Sequence, residues 1–243
     1  MRKLFKDATI VDGMGNSAFV SDLLVEGSTI RAIGRLGDIQ SDRIFDCRGL
    51  TLAPGFIDLH AHSEIHVLTN PPMGEKIAQG ITTEFSGNCG IGVFPASRCT
   101  PLAAEVLGAA PHQYWPTFSS YKEAWYHSGS GVNMGFLQAH GPLRSMVLGE
   151  EAHRAATRGE IAKMASLLEE SLERGAWGLS TGLYYQPCQS AGRDELVALS
   201  NVVARHNRLL AVHLRCEGSA VVESLDEMLD IARASGVRLE VSH

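Results

Sequence analysis

No stretch of the sequence approaches the roughly 20 consecutive apolar residues that a membrane-spanning helix needs, so no membrane partner is expected. The opening MRKLF carries the positive charge of a secretory signal, but KDATIVDGMG follows at once with no apolar run. A signal peptide is therefore not expected. A basic excess is also missing: 21 Lys and Arg stand against 27 Asp and Glu, for a net charge of −6. Phosphate backbones are bound by basic faces, so a nucleic-acid partner is not expected either. Cysteines are few, odd in number and scattered, at positions 47, 89, 99, 188 and 216. That pattern excludes a disulfide framework and fits a reducing cytoplasm. Repeats and low-complexity tracts are absent. What is present, 44% hydrophobic and 20% charged residues in a chain of 243, is the profile of an ordinary globular protein of one large or two smaller domains.

Residues 1–53 read as short strands, KLFKDATIVDG, VSDLLVEGSTIRAIG and RIFDCRGLTLAPG, with period-two alternation and Gly/Asp turns and no helix of useful length. From Pro54 the pattern changes. Short apolar runs, GFIDLHAH, GITTEFSGN, VNMGFLQAHG, AWGLSTGL, LLAVHLR and VRLEVSH, alternate with helical stretches. In GEIAKMASLLEESLERG the apolar Ile161, Met164, Leu168 and Leu172 recur at helical spacing. RDELVALSNVVARHN and SAVVESLDEMLDIARASG read the same way. Arg98–Gly131, rich in Pro, Ser and Trp, reads as a long irregular excursion. Strands alternating with helices predict βαβ units and a parallel sheet. No Rossmann glycine fingerprint is present, so a (β/α)₈ TIM barrel is expected rather than an open sheet, with about six of the eight strands in this chain. The sequence is expected to stop inside that domain.

Each apolar run ends in a group able to bind metal or substrate. His60 and His62 in DLHAH lie on one face of a strand, because alternation puts residues i and i+2 together. Cys89 ends the second run, His140 the third, His213 the fifth and His243 the sixth. In a barrel these are the carboxyl ends, where catalytic groups gather. Imidazole and thiolate are the preferred ligands of zinc. His66, His112, His127, His153 and His206 stand in helical or loop contexts and are read as ordinary.

The motif APGFIDLHAHSE resembles the first strand of the amidohydrolase superfamily. QGITTEFSGNCGIGVFP, GAWGLSTGLYYQP and LLAVHLRCEG…LDEMLDIARASGVRLEVSH narrow the resemblance to the N-acyl-D-amino-acid deacylase (D-aminoacylase) family, from about residue 5 to residue 243. The opening DATIVDGMGNSAF is similar to that family's small β-sandwich. The resemblance thus implies a sandwich portion over 1–53 and a metal-dependent hydrolase barrel over 54–243, both incomplete here.

The resemblance also implies a ligand set. Many amidohydrolases bridge two metals with a carboxylated lysine, whereas this branch uses a second-strand cysteine, which falls on Cys89. Cys89, His213 and His243 would then form the tight Zn²⁺ site, and His60 and His62 would face a weaker second one. The other four cysteines match no ligand position. The implied reaction is hydrolysis of the amide of a small-molecule N-acyl-D-amino acid, releasing a D-amino acid and a carboxylate. Tyr185 would bind the substrate carboxylate, with Tyr184 beside it as a selector of side-chain size and His140 as a further contact. Arg215 and Glu217 would orient the site, although Cys216 stands where the family has aspartate. The family's general base is an aspartate at the end of the eighth strand, so it is expected beyond residue 243, and the chain alone is expected to be inactive. Two other readings remain open at this level. A hydantoinase-like or dihydroorotase-like cyclic-amide hydrolase would need a lysine at the fourth strand, which WGLSTGL lacks. An inactive amidohydrolase-fold binding module would be the other.

Overall fold

The structure, a computed structural model, describes all residues 1–243. The chain divides into two compact units, Met1–Phe56 and Ile57–His243.

The first unit holds strands only: β1 (Arg2–Ile10), β2 (Phe19–Glu26), β3 (Thr29–Gly34), β4 (Arg43–Asp46) and β5 (Thr51–Leu52). They form one mixed sheet in the order β3-β2-β1-β4, with β5 also on β1. β1 runs antiparallel to β2 and parallel to β4 and β5. Ala8, Ile10, Leu23 and Cys47 make its small core. The buried Asp22 carboxylate accepts from the amides of Asp7 and Leu36, which pins an irregularity in β1 where Asp7 has φ +55°.

The second unit alternates strands and helices. β6 (Phe56–Ala61), α1 (His66–Thr69), α2 (Gly74–Ile77), β7 (Ile81–Ser86), α3 (Pro101–Leu107) and α4 (Phe118–Ser128) come first. β8 (Asn133–Phe136) and β9 (Gln138–Ala139) follow, then α5 (His140–Leu148), α6 (Arg158–Glu173), β10 (Gly178–Gly182), α7 (Arg193–Arg205), β11 (Leu209–His213), α8 (Val221–Ser235) and β12 (Arg238–Val241). The strands stand in sequence order, β6-β7-β8 in one sheet and β9-β10-β11-β12 in another. β8 and β9 are one run of chain broken at Leu137. Its first half pairs parallel with β7 and its second half parallel with β10. The β10–β11 and β11–β12 pairs are also parallel.

The helices follow from local chemistry. Thr157 and Glu160 close a reciprocal capping box at the start of α6. Met164, Leu168 and Leu172 then recur on one face and are buried. Each such side chain contributes about 1.5–3 kcal/mol when withdrawn from water. Gly236, at φ +71°, ends α8 in the left-handed conformation that glycine adopts without a Cβ penalty. α5 packs on α6, α6 on α7 and α7 on α8.

The segment expected to be an irregular excursion contains two helices instead. Thr100 caps α3 with proline at its first position, and Thr117 with Ser120 forms a capping box for α4. Phe118 and Tyr121 of α4 pack on Phe94 and Phe136 in an aromatic cluster. The caps were written in the sequence, but Pro, Ser and Trp obscured the short apolar periodicity between them. No helix is long and apolar enough to cross a membrane.

Candidate metal centre

Five of the side chains singled out in the sequence converge. His60 is the penultimate residue of β6 with His62 just past its end, His213 ends β11, and His243 lies just past β12. Cys89 sits in the turn after β7. The ligand atoms of His60, His62 and Cys89 all lie within 4.8 Å of one another, as do those of Cys89, His213 and His243. Cys89 is the corner shared by both triads. Its Sγ is 3.3 Å from His60 Nε2 and 3.6 Å from His243 Nε2. The His213 and His243 rings meet edge to face at 4.4 Å.

The backbone around Cys89 is what delivers the thiol. Cys89 itself adopts φ +54°, rare for a residue with a Cβ. Gly87 and Gly90 flank it at φ +90° and +67°. A Cβ on Gly87 would sit 2.3 Å from the Leu137 carbonyl oxygen, and one on Gly182 would sit 2.1 Å from that of Cys89. The glycines therefore serve close backbone approach between the turn and its neighbouring strands. The Gly90 amide donates to Ser180 Oγ at 3.0 Å. The buried Asn88 amide donates to Phe85 O at 3.1 Å and to Leu59 O and Ala61 O at 3.4 Å, so the turn is tied to the strand that carries the His-x-His pair.

The electrostatics suit a cation. Burial, then the neighbouring His60, His243 and His213, pulls His62 down to about 4. Burial likewise lowers His60 and His213, helped in His60 by His243 and opposed in His213 by Glu217. These imidazoles are neutral at pH 7, the form that ligates metals. Burial first, then Glu217, Glu64 and Glu240, pushes the Cys89 thiol up to about 12. Only a nearby positive charge reverses that, and a divalent ion deprotonates a coordinating thiol outright. The buried Nδ1 atoms of His60, His62 and His213 have no hydrogen-bond partner. Buried polar atoms are rarely left so, and a soft N/S donor set with spare ring nitrogens fits zinc.

Glu217 adds the partner expected behind a ligating histidine. Its Oε1 accepts from His243 Nδ1 at 2.8 Å, which leaves Nε2 facing Cys89. The same oxygen lies 3.5 Å from His213 Nε2. Arg215 points elsewhere, pairing with Glu227 and donating to the carbonyls of Gln189 and Ala191. It thereby fixes the loop that carries Tyr184 and Tyr185, whose rings stand 5.7 and 4.7 Å from the His213 ring. Asp58 forms an ion pair with Lys76 at 2.9 Å.

His140, expected as a further substrate contact, does not join this group. It is completely buried. Its Nδ1 meets Thr181 Oγ1 at 2.9 Å and its Nε2 meets Glu195 Oε1 at 2.8 Å. The reason is register. Gln138 and His140 share a face, and Gln138 reaches Ser171 on α6, so that face looks into the helix layer. Arg144 donates to both oxygens of Glu195 from within the same layer. Sequence reasoning missed this buried group, and also Asn88 and Glu64. Burial pushes the fully buried Glu64 up to about 8.

Burial works to raise Glu195, but His140 and then Arg144 outweigh it and leave Glu195 below its ordinary value. A carboxylate so depressed contributes stability that is present above its unfolded pKa, roughly 4.5, and is lost as pH falls through the folded one. Glu195→Gln is expected to lower stability at pH 7 and to flatten the decline between roughly pH 5 and 3. Urea midpoints at pH 7, 5 and 3.5 check both effects.

Comparison with known proteins agrees with the geometry. Residues 43–243 match the amidohydrolase family. An N-acyl-D-aspartate deacylase of Alcaligenes xylosoxydans xylosoxydans is 39% identical over 238 residues, which are 97% of this chain and 48% of that relative. A crystal structure of a D-aminoacylase superposes with a TM-score of 0.94 at 33% identity, covering 99% of this chain and 51% of that one. An N-acyl-D-glutamate deacylase of Bordetella bronchiseptica, complexed with zinc and a phosphonate mimic of its tetrahedral intermediate, superposes with a TM-score of 0.91 at 34% identity, covering 98% and 50%. The chain spans about half the length of the curated relatives it matches. A match running from Arg43 to His243, and the same α/β fold in relatives a third identical, establish that the chain belongs to the amidohydrolase family.

Proposed function

We propose that the protein carrying this chain is a zinc-dependent hydrolase of N-acyl-D-amino acids, releasing a D-amino acid and a carboxylate. The observation that carries the reading is Cys89 at the shared corner of two histidine triads. His213, His243 and Cys89 would hold the tight ion, and His60 and His62 with Cys89 a weaker one. When bound, such an ion supplies Lewis-acid activation of water and of an amide carbonyl. The relatives named for D-aspartate and D-glutamate derivatives support the substrate class.

The chain's own residues do the remaining work. Glu217 keeps the proton of His243 on Nδ1 and so fixes the ring's orientation. Tyr185, held against His213, offers its phenol to the substrate carboxylate, and the exposed Tyr184 borders the side-chain space. The general base is assigned to an aspartate expected beyond residue 243. We take the strands from β6 to β12, which stand in sequence order, as part of a (β/α)₈ barrel that begins near residue 54, and the sheet before it as part of a sandwich. All five cysteines are unpaired, which supports a reducing cytoplasm.

Metal analysis of the purified full-length protein, with hydrolysis assays on N-acetyl-D- and N-acetyl-L-amino acids, tests the reading. Bound zinc and turnover of the D series are expected. A folded, metal-free protein without turnover of either series would end it. Tyr185→Phe is expected to raise KM roughly 10- to 100-fold with kcat nearly unchanged, since a hydrogen bond to a charged group contributes about 1.5–3 kcal/mol. Steady-state kinetics check this.

A further inference from the structure

We propose that the buried bracket of His140, Glu195 and Arg144, with Cys188 alongside, is a positioning device that holds the Cys89 turn in its left-handed backbone and so sets the metal centre. The inference rests on the metal-centre reading above and adds residues that touch no ion.

Burying a histidine, a glutamate and an arginine together does little for stability by itself, because desolvation offsets the attraction. Such a group is better explained by the geometry it enforces. His140 and Arg144 are 0% exposed and Glu195 and Cys188 2%. They come from the first two turns of α5, the first turn of α7 and the loop after β10. His140 is joined to Thr181 and Glu195, and Arg144 donates to Glu195 and to the carbonyls of Ala152 and Arg154. Four segments of chain are thereby locked to one another.

The bracket reaches the Cys89 turn at three points. Gly141, next to His140, donates its amide to Gly90 O at 3.0 Å. A Cβ on Gly141 would lie 2.5 Å from that same oxygen. Cys188 Sγ packs against Gly90 from another side, 3.0 Å from where a Cβ would stand. Gly182, beside the bracket's Thr181, meets the Cys89 carbonyl. A left-handed conformation is unfavourable for a residue with a side chain and persists only when its surroundings over-determine it. These contacts press on the backbone of Cys89 and Gly90, so loosening them frees the thiol to swing from the cluster.

The test compares cobalt loading of the full-length protein with three variants. Gly141→Ala leaves every charged partner in place and presses on Gly90. His140→Ala opens the bracket itself. Leu168→Ala, a buried side chain of α6, is the control for general loss of stability. The readouts are Co²⁺ affinity by chelator competition and the near-ultraviolet thiolate-to-cobalt charge-transfer band. We expect the first two variants to bind Co²⁺ roughly 10- to 100-fold more weakly, with a diminished or shifted band. Leu168→Ala should lower the thermal midpoint and leave both readouts at their wild-type values. Wild-type affinity and an unshifted band in Gly141→Ala would overturn the inference. If His140→Ala does not fold, Gly141→Ala decides, read against Leu168→Ala at a comparable loss of thermal midpoint, because its Cβ must displace Gly90 O at some cost in stability. A wild-type protein without any charge-transfer band would instead overturn the metal-centre reading, and the inference with it.

Discussion

Replacing Cys89 with serine should weaken binding of the tight zinc ion by at least about 100-fold and reduce turnover in the same proportion at limiting metal. Changing a group that merely supports a ligand typically costs 10- to 100-fold in metal affinity or activity, and Cys89 is proposed as a ligand common to both triads. A serine hydroxyl is a harder donor and does not ionise readily beside the metal, so it replaces neither the softness nor the negative charge of the thiolate. The metal-free fold should survive, because serine is nearly the same size and His60 Nε2 stands within reach of its hydroxyl. Chelator competition and urea unfolding on the same preparation separate the two effects. Tight stoichiometric zinc in the folded variant would assign Cys89 to packing.

Arg144→Ala should destabilise the protein by about 3–5 kcal/mol, the cost of leaving a buried charge without its partner. Arg144 is fully buried, and its guanidinium satisfies Glu195 and the carbonyls of Ala152 and Arg154 at once. Truncation strands all three. A typical domain is stable by only 5–15 kcal/mol, so a marked loss of soluble yield is expected. Arg154→Ala provides the contrast. Arg154 pairs with Glu151 and Glu160 near the surface, where such pairs contribute about 0–1 kcal/mol. Paired replacement, Arg144→Met with Glu195→Leu, should recover only part of the loss, because the Arg144 and Glu195 charges leave together while His140 and the carbonyls of Ala152 and Arg154 still lose their partners. Denaturant midpoints of the four proteins measure this.

Much of the site was legible because its signals are local. His-x-His gives its own geometry through strand alternation, and the glycines around Cys89 announced a turn pressed close to other backbone. His140 shows the limit of strand-end reasoning. It stands in the same register as the ligands by position along the chain, yet Gln138, two residues earlier, faces α6 and takes His140 with it. The inward residue of that strand is Ala139, paired with Ser180, whose hydroxyl meets Gly90. Arg144 and Glu195 were illegible for another reason. They are 51 residues apart, and each looks like an ordinary charge on an amphipathic helix until packing closes over both. The two capped helices inside Arg98–Gly131 were readable from Thr100-Pro101 and Thr117, but composition outweighed the caps.

Zinc K-edge X-ray absorption of the zinc-loaded full-length protein tests the central claim most directly. One sulfur scatterer at roughly 2.3 Å together with nitrogen or oxygen scatterers at roughly 2.0–2.1 Å is the result predicted, with the sulfur lost in Cys89→Ser. A shell of nitrogen and oxygen alone in the wild-type protein would contradict it.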